Sequence, residues 1–267
     1  MKAPNLILTL TVLSLALNLA AQNAPAEKKD APKKDAPKKE APKPALKLPP
    51  QAPDVAAPKL DGATGKPQTG FVNAHNNFVK IAKEGTAELV FLGDSITAGW
   101  GGQKATWEKA FGAYKPANFG IGGDRTQHVL WRIENGELET IKPKAVVIMI
   151  GTNNSGSDSA EGIAKGVTKI VETVRAKQPQ AKILLLAIFP RGEKPDQAQR
   201  VKNKDATAIF AKLDDGKNVH FLDIGAKFLQ PDGTLTKEVM PDLLHLSAKG
   251  YQIWADSISS KLAELTK

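Results

Sequence analysis

Two short runs, "AVVIMI" at residues 145–150 and "ILLLAI" at 183–188, are apolar at every position. A strand with one wet face alternates apolar and polar side chains. A strand apolar throughout must be covered on both faces, and that is the environment of a parallel sheet between helices. Three more short runs, Leu89–Leu92, Ala117–Ile121 and Val219–Ile224, read as further strands. Helix-like stretches lie between and after the runs: Thr126–Glu137, Ala160–Lys177 behind the N-cap candidate Ser159, about Asp196–Leu213, and a last one from Ser247 to Leu265. The alternation predicts an α/β doubly wound sheet of five parallel strands. In such sheets the working groups sit on the loops that follow the carboxyl ends of the strands.

The chain has 267 residues, and its first 60 do not share this pattern. Residues 1–21 open with Met-Lys, run apolar from Leu6 to Leu19 and end in Ala20 and Ala21, the layout of a secretory signal peptide cut near Ala21. The apolar stretch is short for a membrane span, which needs about 20 residues; an uncleaved anchor is the alternative. Residues 22–60 contain the repeat "KKDAPKKDAPKKEAPKP" and nine of the 18 prolines. Such a segment has little to bury and does not offset its ordering entropy, so it is expected to be a solvated, semi-rigid linker. The competing reading is a spacer that touches an anionic cell envelope.

Five of the nine net positive charges lie in these 60 residues, so the basic character belongs mostly to the leader and linker. No basic stripe interleaved with aromatics is present, which argues against nucleic-acid binding. Residues 61–267 are enough for one domain with a sizeable core. There is no cysteine, so disulfides and lipidation at cysteine are excluded.

Each strand end carries residues that can do chemistry. Gly93, Asp94 and Ser95 follow the first strand, and "NFGIGGDRT" follows the second. "GTNN" follows the third, "FPRGEKP" the fourth, and "PDLLHLS" precedes the last helix. Ser95, His245 and Asp242 together suggest acyl transfer. A serine hydroxyl is a weak nucleophile until a base takes its proton, imidazole suits that role, and a carboxylate fixes the ring's tautomer. The three-residue spacing of Asp242 and His245 can set both side chains on one side of a turn. The N–H groups of Ser95 and Gly123 and the amide of Asn153 are the candidate donors to an oxyanion. Asp94, Arg125, His128 and Arg191 are candidate substrate-binding residues, while His75 and His220 read as structural. "GIGG" lacks the spacing of a dinucleotide loop and no P-loop lysine follows it. No histidine–carboxylate spacing matches a zinc site, and no metal or cofactor is expected.

Four short motifs thus appear in one order, each after or beyond a strand. The set resembles the SGNH hydrolases, also called the GDSL esterase/lipase family. Ser95 matches the family's nucleophile, Gly123 and Asn153 its oxyanion residues, and Asp242 and His245 its D-x-x-H pair. "NFGIGGDRTQHVLWRIENGEL", "PRGEKP" and "DLLHLSAKGY" are similar to the catalytic subunits of platelet-activating-factor acetylhydrolase type IB, over about residues 88–260. The resemblance implies a flavodoxin-like three-layer α/β/α sandwich and metal-free hydrolysis of short acyl esters. Because bacterial relatives of this kind often act on acetylated carbohydrates, the resemblance also implies an acetylated carbohydrate as substrate. The leader and linker depart from the intracellular phospholipid enzymes, so the phospholipid substrate does not carry over. "GDSIT" is also not the G-x-S-x-G elbow of α/β-hydrolases, because Thr97 stands at the second glycine.

The expectation is therefore an exported esterase, periplasmic or extracellular, acting on a small-molecule or glycan ester, probed best with acetate esters. A lysophospholipase or thioesterase is the alternative within the same chemistry. A non-catalytic binding protein tethered to the envelope is the alternative outside it. Pairing into a homodimer is compatible with all three.

Overall fold

The computed structural model describes residues 46–267. The leader and most of the linker lie outside the described residues. Five strands form one parallel sheet: β1 Leu89–Gly93, β2 Pro116–Gly120, β3 Ala145–Met149, β4 Lys182–Leu186 and β5 Val219–Leu222. Their order is β2-β1-β3-β4-β5. Each expected strand is present, its ends within two residues of the apolar run. Among the described residues seven α-helices pack around the sheet: α1 Thr69–Glu84, α2 Ser95–Ala98, α3 Lys104–Phe111, α4 Thr126–Arg132, α5 Ala160–Lys177, α6 Ala198–Phe210 and α7 Ala248–Leu265.

The continuous apolar runs serve two cores, because successive strand residues point to opposite faces. Val90, Leu92, Val146, Ile148, Ile183 and Leu185 pack with α1, α4, α5 and α6. Leu89, Phe91, Ala145, Val147, Leu184 and Leu186 pack with α3 and α7, around Trp100 and Trp254. Each fully buried Leu, Val or Ile contributes roughly 1.5–3 kcal/mol to this sandwich. Ser159 and Ser247 cap α5 and α7 as the sequence predicts, accepting from the Gly162 and Gly250 N–H groups at 3.1 and 3.2 Å.

Two expectations need correction. The helix expected over Thr126–Glu137 stops at Arg132 and passes into a wider π-type turn, Ile133–Glu137, where Gly136 takes φ +110°. The second is the solvated linker through residue 60. Among the described residues its last part is a strap lying on the domain. The Thr126 hydroxyl donates to the Pro53 carbonyl at 2.7 Å, and the Ala57 N–H donates to the Gln127 carbonyl at 3.2 Å. Lys59 pairs with the buried Asp124 carboxylate at 3.0 Å. Low apolar content argues against a hydrophobic dock, and here polar contacts to the first turn of α4 do the holding instead. The lysine repeats end before this part, at Lys43.

Candidate active site

The register aligns the carboxyl ends of the central strands, with Gly93 opposite both Gly120 on β2 and Met149 on β3. The chain leaves β1 for β2 on one side and later returns to place β3 on the other. The crevice at such a switch point is where open α/β sheets bind ligands. Ser95 follows β1 there, and Asn153 follows β3.

Gly93 is required at the turn, since a Cβ there would lie 2.5 Å from the Met149 carbonyl oxygen. The Asp94 carboxylate caps α2 by accepting from the Ile96 N–H at 2.9 Å. Ser95 then opens α2, half-buried, with its hydroxyl turned to the loop before α7. Ser95 Oγ stands 2.8 Å from His245 Nε2, and His245 Nδ1 stands 2.6 Å from Asp242 Oδ2. The other carboxylate oxygen of Asp242 accepts from the backbone N–H groups of His245 and Leu244 at 2.7 and 3.1 Å. Burial pushes the Asp242 carboxyl up, but the bonds from the His245 ring, the two N–H groups and the ring's charge outweigh it and hold it low. An ionised Asp242 on Nδ1 leaves Nε2 as the acceptor facing the serine, the tautomer a general base needs.

The loop that carries this pair is strained. Leu243 has φ +60°, a region costly for a branched side chain. Its N–H donates to the Met240 carbonyl and its own carbonyl accepts from the Gly192 N–H, both at 2.8 Å. "PRGEKP" thus braces "DLLH".

The oxyanion candidates gather about the glycine loop. A Cβ at Gly122 would sit 4.0 Å from the Ser95 Cβ, so the glycine loop lies against the nucleophile. Gly123 has φ +72°, which glycine adopts without strain. Among the described residues the N–H groups of Ser95 and Gly123 donate to no other protein group. The Asn153 amide donates to the Asp124 carbonyl at 2.8 Å, which ties its turn to the glycine loop and leaves a second N–H.

Of the four candidate binding residues, Arg125 and Arg191 are half-buried, and Asp94 and His128 are buried. Arg191 is half-buried and donates to the Thr152 carbonyl and hydroxyl at 3.1 and 3.2 Å. It borders an open depression of about 510 Å³ with Asp242, Leu243 and Leu244. Asp94 is fully buried behind Ser95, a cap and not a substrate contact. Burial pushes its carboxyl up to about 7, aided by the Asp124 charge and opposed by the Ile96 N–H and His245. His128 is buried beneath the strap. Its Nδ1 accepts from the Arg125 N–H at 3.1 Å and its Nε2 faces Gln51 Oε1 at 3.2 Å. Burial, then the charges of Lys59, Arg125 and Arg132, push its pKa down to about 3, so it is a neutral structural group. Arg125 joins that arrangement through its backbone, and its guanidinium makes no hydrogen bond to Ser95, Asp242 or His245.

Two groups behind the site escaped the sequence reading. Arg132, fully buried, donates to the Asp124 and Glu137 carboxylates and to the Gly93 and Phe119 carbonyls. It ties the ends of β1 and β2 to α4. The Tyr251 hydroxyl donates to the Ile96 carbonyl at 2.6 Å, locking α2 to α7. Helical spacing puts Arg132 on the inner side of α4, but nothing in sequence says which carboxylates meet it. Among the described residues no three His, Asp or Glu side chains gather as metal ligands.

A serine on a strand-end turn, relayed through histidine to a carboxylate and faced by backbone donors, is the equipment of a carboxylic ester hydrolase. Residues 91–253 match the model of the GDSL-like lipase/acylhydrolase family, and the chain belongs to that family. The alpha1 subunit of platelet-activating factor acetylhydrolase IB from Bos taurus is 40% identical over 195 residues, 73% of this chain and 83% of that one. A GDSL-like lipase from Bacteroides thetaiotaomicron shares the fold with a TM-score of 0.59 at 20% identity, over 73% of this chain and 98% of that one. Est24, a carbohydrate acetylesterase from Sinorhizobium meliloti, does so with a TM-score of 0.53 at 21% identity, over 67% and 100%.

Proposed function

We propose that the chain is an exported serine esterase that removes acetyl or other short acyl groups, with acetylated carbohydrate as its substrate. The observation that carries the serine chemistry is the relay itself, Ser95 Oγ to His245 Nε2 at 2.8 Å and His245 Nδ1 to Asp242 at 2.6 Å. Ser95 Oγ attacks the ester carbonyl carbon while its proton passes to His245 Nε2. The carbonyl π electrons move to the oxygen, which the N–H groups of Ser95 and Gly123 and the Asn153 amide receive. The intermediate collapses, the C–O bond to the alcohol breaks, and His245 hands its proton to the departing oxygen. Water, deprotonated by His245, then attacks the acyl-serine by the same route and frees the acid.

The short acyl group is supported by two similar proteins, an acetylhydrolase and an acetylesterase. The carbohydrate is supported by the latter and by the leader, which would deliver the enzyme to envelope glycans. A second reading, the acetyl ester of a phospholipid, is favoured by the name of the 40% identical relative. A retired binding scaffold is disfavoured because nucleophile, base and carboxylate are all present and in register. The test is a panel of acetylated sugars, acetylated lysophospholipid and longer-chain esters, assayed with wild type and Ser95→Ala. The reading expects fastest turnover on an acetylated sugar and none by the variant. Faster turnover of the phospholipid would replace the substrate, and activity in Ser95→Ala would remove the nucleophile. Export is checked by the N-terminus of the mature protein from fractionated cells, expected near Ala21.

A further inference from the structure

The strap ends on a residue the proposed mechanism does not use. Lys59 Nζ donates to the Gly122 carbonyl and sits 3.0 Å from Asp124 Oδ1, with the Phe71 ring 5.9 Å away. Its side chain is only 13% exposed, although the residue lies at the end of a lysine-rich, outwardly nondescript segment. The carbonyl of Gly122 and the N–H of Gly123 belong to one peptide unit. That unit is planar and trans, so its C=O and N–H point in opposite directions. A group that fixes the carbonyl on one side therefore fixes the direction of the N–H on the other. Without such an anchor a glycine pair has the freedom to rotate this peptide away.

We infer that Lys59 is a positioning residue of the oxyanion hole, holding the Gly122–Gly123 peptide so that the Gly123 N–H faces the developing oxyanion. The bond is charge-assisted, hence stronger than one from a neutral donor. A carbonyl that accepts from a cation also polarises its peptide, which makes the opposite N–H a better donor. The same ammonium pairs with Asp124, whose carbonyl holds the Asn153 amide. One side chain thus secures both oxyanion donors outside the nucleophile's own backbone. The inference rests on the serine mechanism proposed above and extends the functional chain into the strap.

The test uses the full chain and a soluble acetate ester. Lys59→Met keeps the length and apolar stem while removing the charge and the donor. The expected result is a fall in kcat of about tenfold to a hundredfold with KM within about twofold, less than for losing a donor outright. Lys59→Arg, which can still donate to the Gly122 carbonyl, should recover most of that loss. Ile170→Val, a conservative core truncation on α5, supplies a control that lowers Tm with no link to the site; its kcat should stay at the wild-type value. Should Lys59→Met not fold, Lys59→Leu, which also removes both charge and donor, takes its place with the same reading. An unchanged kcat in the folded variant, a change confined to KM, or an equal loss of kcat in the Ile170 control would overturn the role of Lys59. Ser95→Ala separates the levels: if it is inactive while the Lys59 variant is fully active, only this inference fails. If it is active, the mechanism fails with it.

Discussion

Asp94 and Asp242 are two carboxylates beside one serine, and their surroundings drive them apart. Asp242 is solvent-facing, takes two backbone N–H bonds and the His245 ring, and is held low. Asp94 is sealed behind α2 and raised from an ordinary 3.8 to about 7. Between those two values the folded protein keeps a proton that the unfolded chain has lost. The contribution of Asp94 to stability is therefore full below its unfolded value and is lost as pH rises through about 7. Asp94→Asn preserves the cap oxygen and mimics the protonated acid. Its Tm should gain on wild type steadily from pH 4 to pH 8, by at most about 4 kcal/mol in stability. A Tm difference that does not move with pH would show that Asp94 is not the group responsible. At Asp242 the prediction is catalytic. Asp242→Asn retains a partner for the ring but loses the charge and permits the wrong tautomer, so kcat should drop by about 10²–10⁴. His245→Gln removes the base that takes the Ser95 proton, so most of the activity should be lost with it.

At the scale of elements, α4 is held to the sheet by charge as well as by Val129 and Leu130. Arg132 has zero exposure, as do Asp124 and Glu137, and it pairs with both. Charges of this kind are costly to bury but far costlier to leave unpaired. Arg132→Met would leave the buried Asp124 and Glu137 carboxylates with only Lys59 and His75 as charged neighbours, and would free the Gly93 and Phe119 carbonyls. A loss of about 3–5 kcal/mol is expected, read as a lower midpoint in urea. Asn153→Ala tests the turn after β3. With the fold kept, kcat should fall by about 10²–10³ and KM should barely change, because the amide acts on charge that develops late. A change in KM alone would make Asn153 a substrate contact.

For the whole molecule, the question is where the enzyme begins. Composition places the boundary at residue 60, whereas the contacts of Gln51, Pro53, Ala57 and Lys59 place the strap inside the catalytic unit. Deleting residues 22–45 should leave kcat on a small soluble ester at the wild-type value, since that repeat has no apolar face to dock. Extending the deletion through residue 60 should lower both Tm and kcat, because it uncovers His128 and removes Lys59. Two deletions with equal kinetics and melting would return the boundary to residue 60.

The sheet was legible because its residues leave one solution: runs such as "AVVIMI" have no wet face, so helices must cover both sides of parallel strands. The relay was legible because the order of strand-end motifs puts Ser95, Gly123, Asn153 and the Asp242–His245 pair on one edge. Helix α1 was equally periodic, with Phe71, His75, Phe78 and Ala82 buried on one face, yet its polar residues hid the pattern. What tertiary structure alone decided is the second layer of contacts. Whether His128 points at substrate or under a strap, and whether Lys59 is one more solvated lysine or a partner for Gly122 and Asp124, depends on residues 63 and more positions apart in the chain. Local composition carries no information about such pairings, because a lysine's stem and charge suit water and a buried carboxylate equally until the fold brings the carboxylate to it.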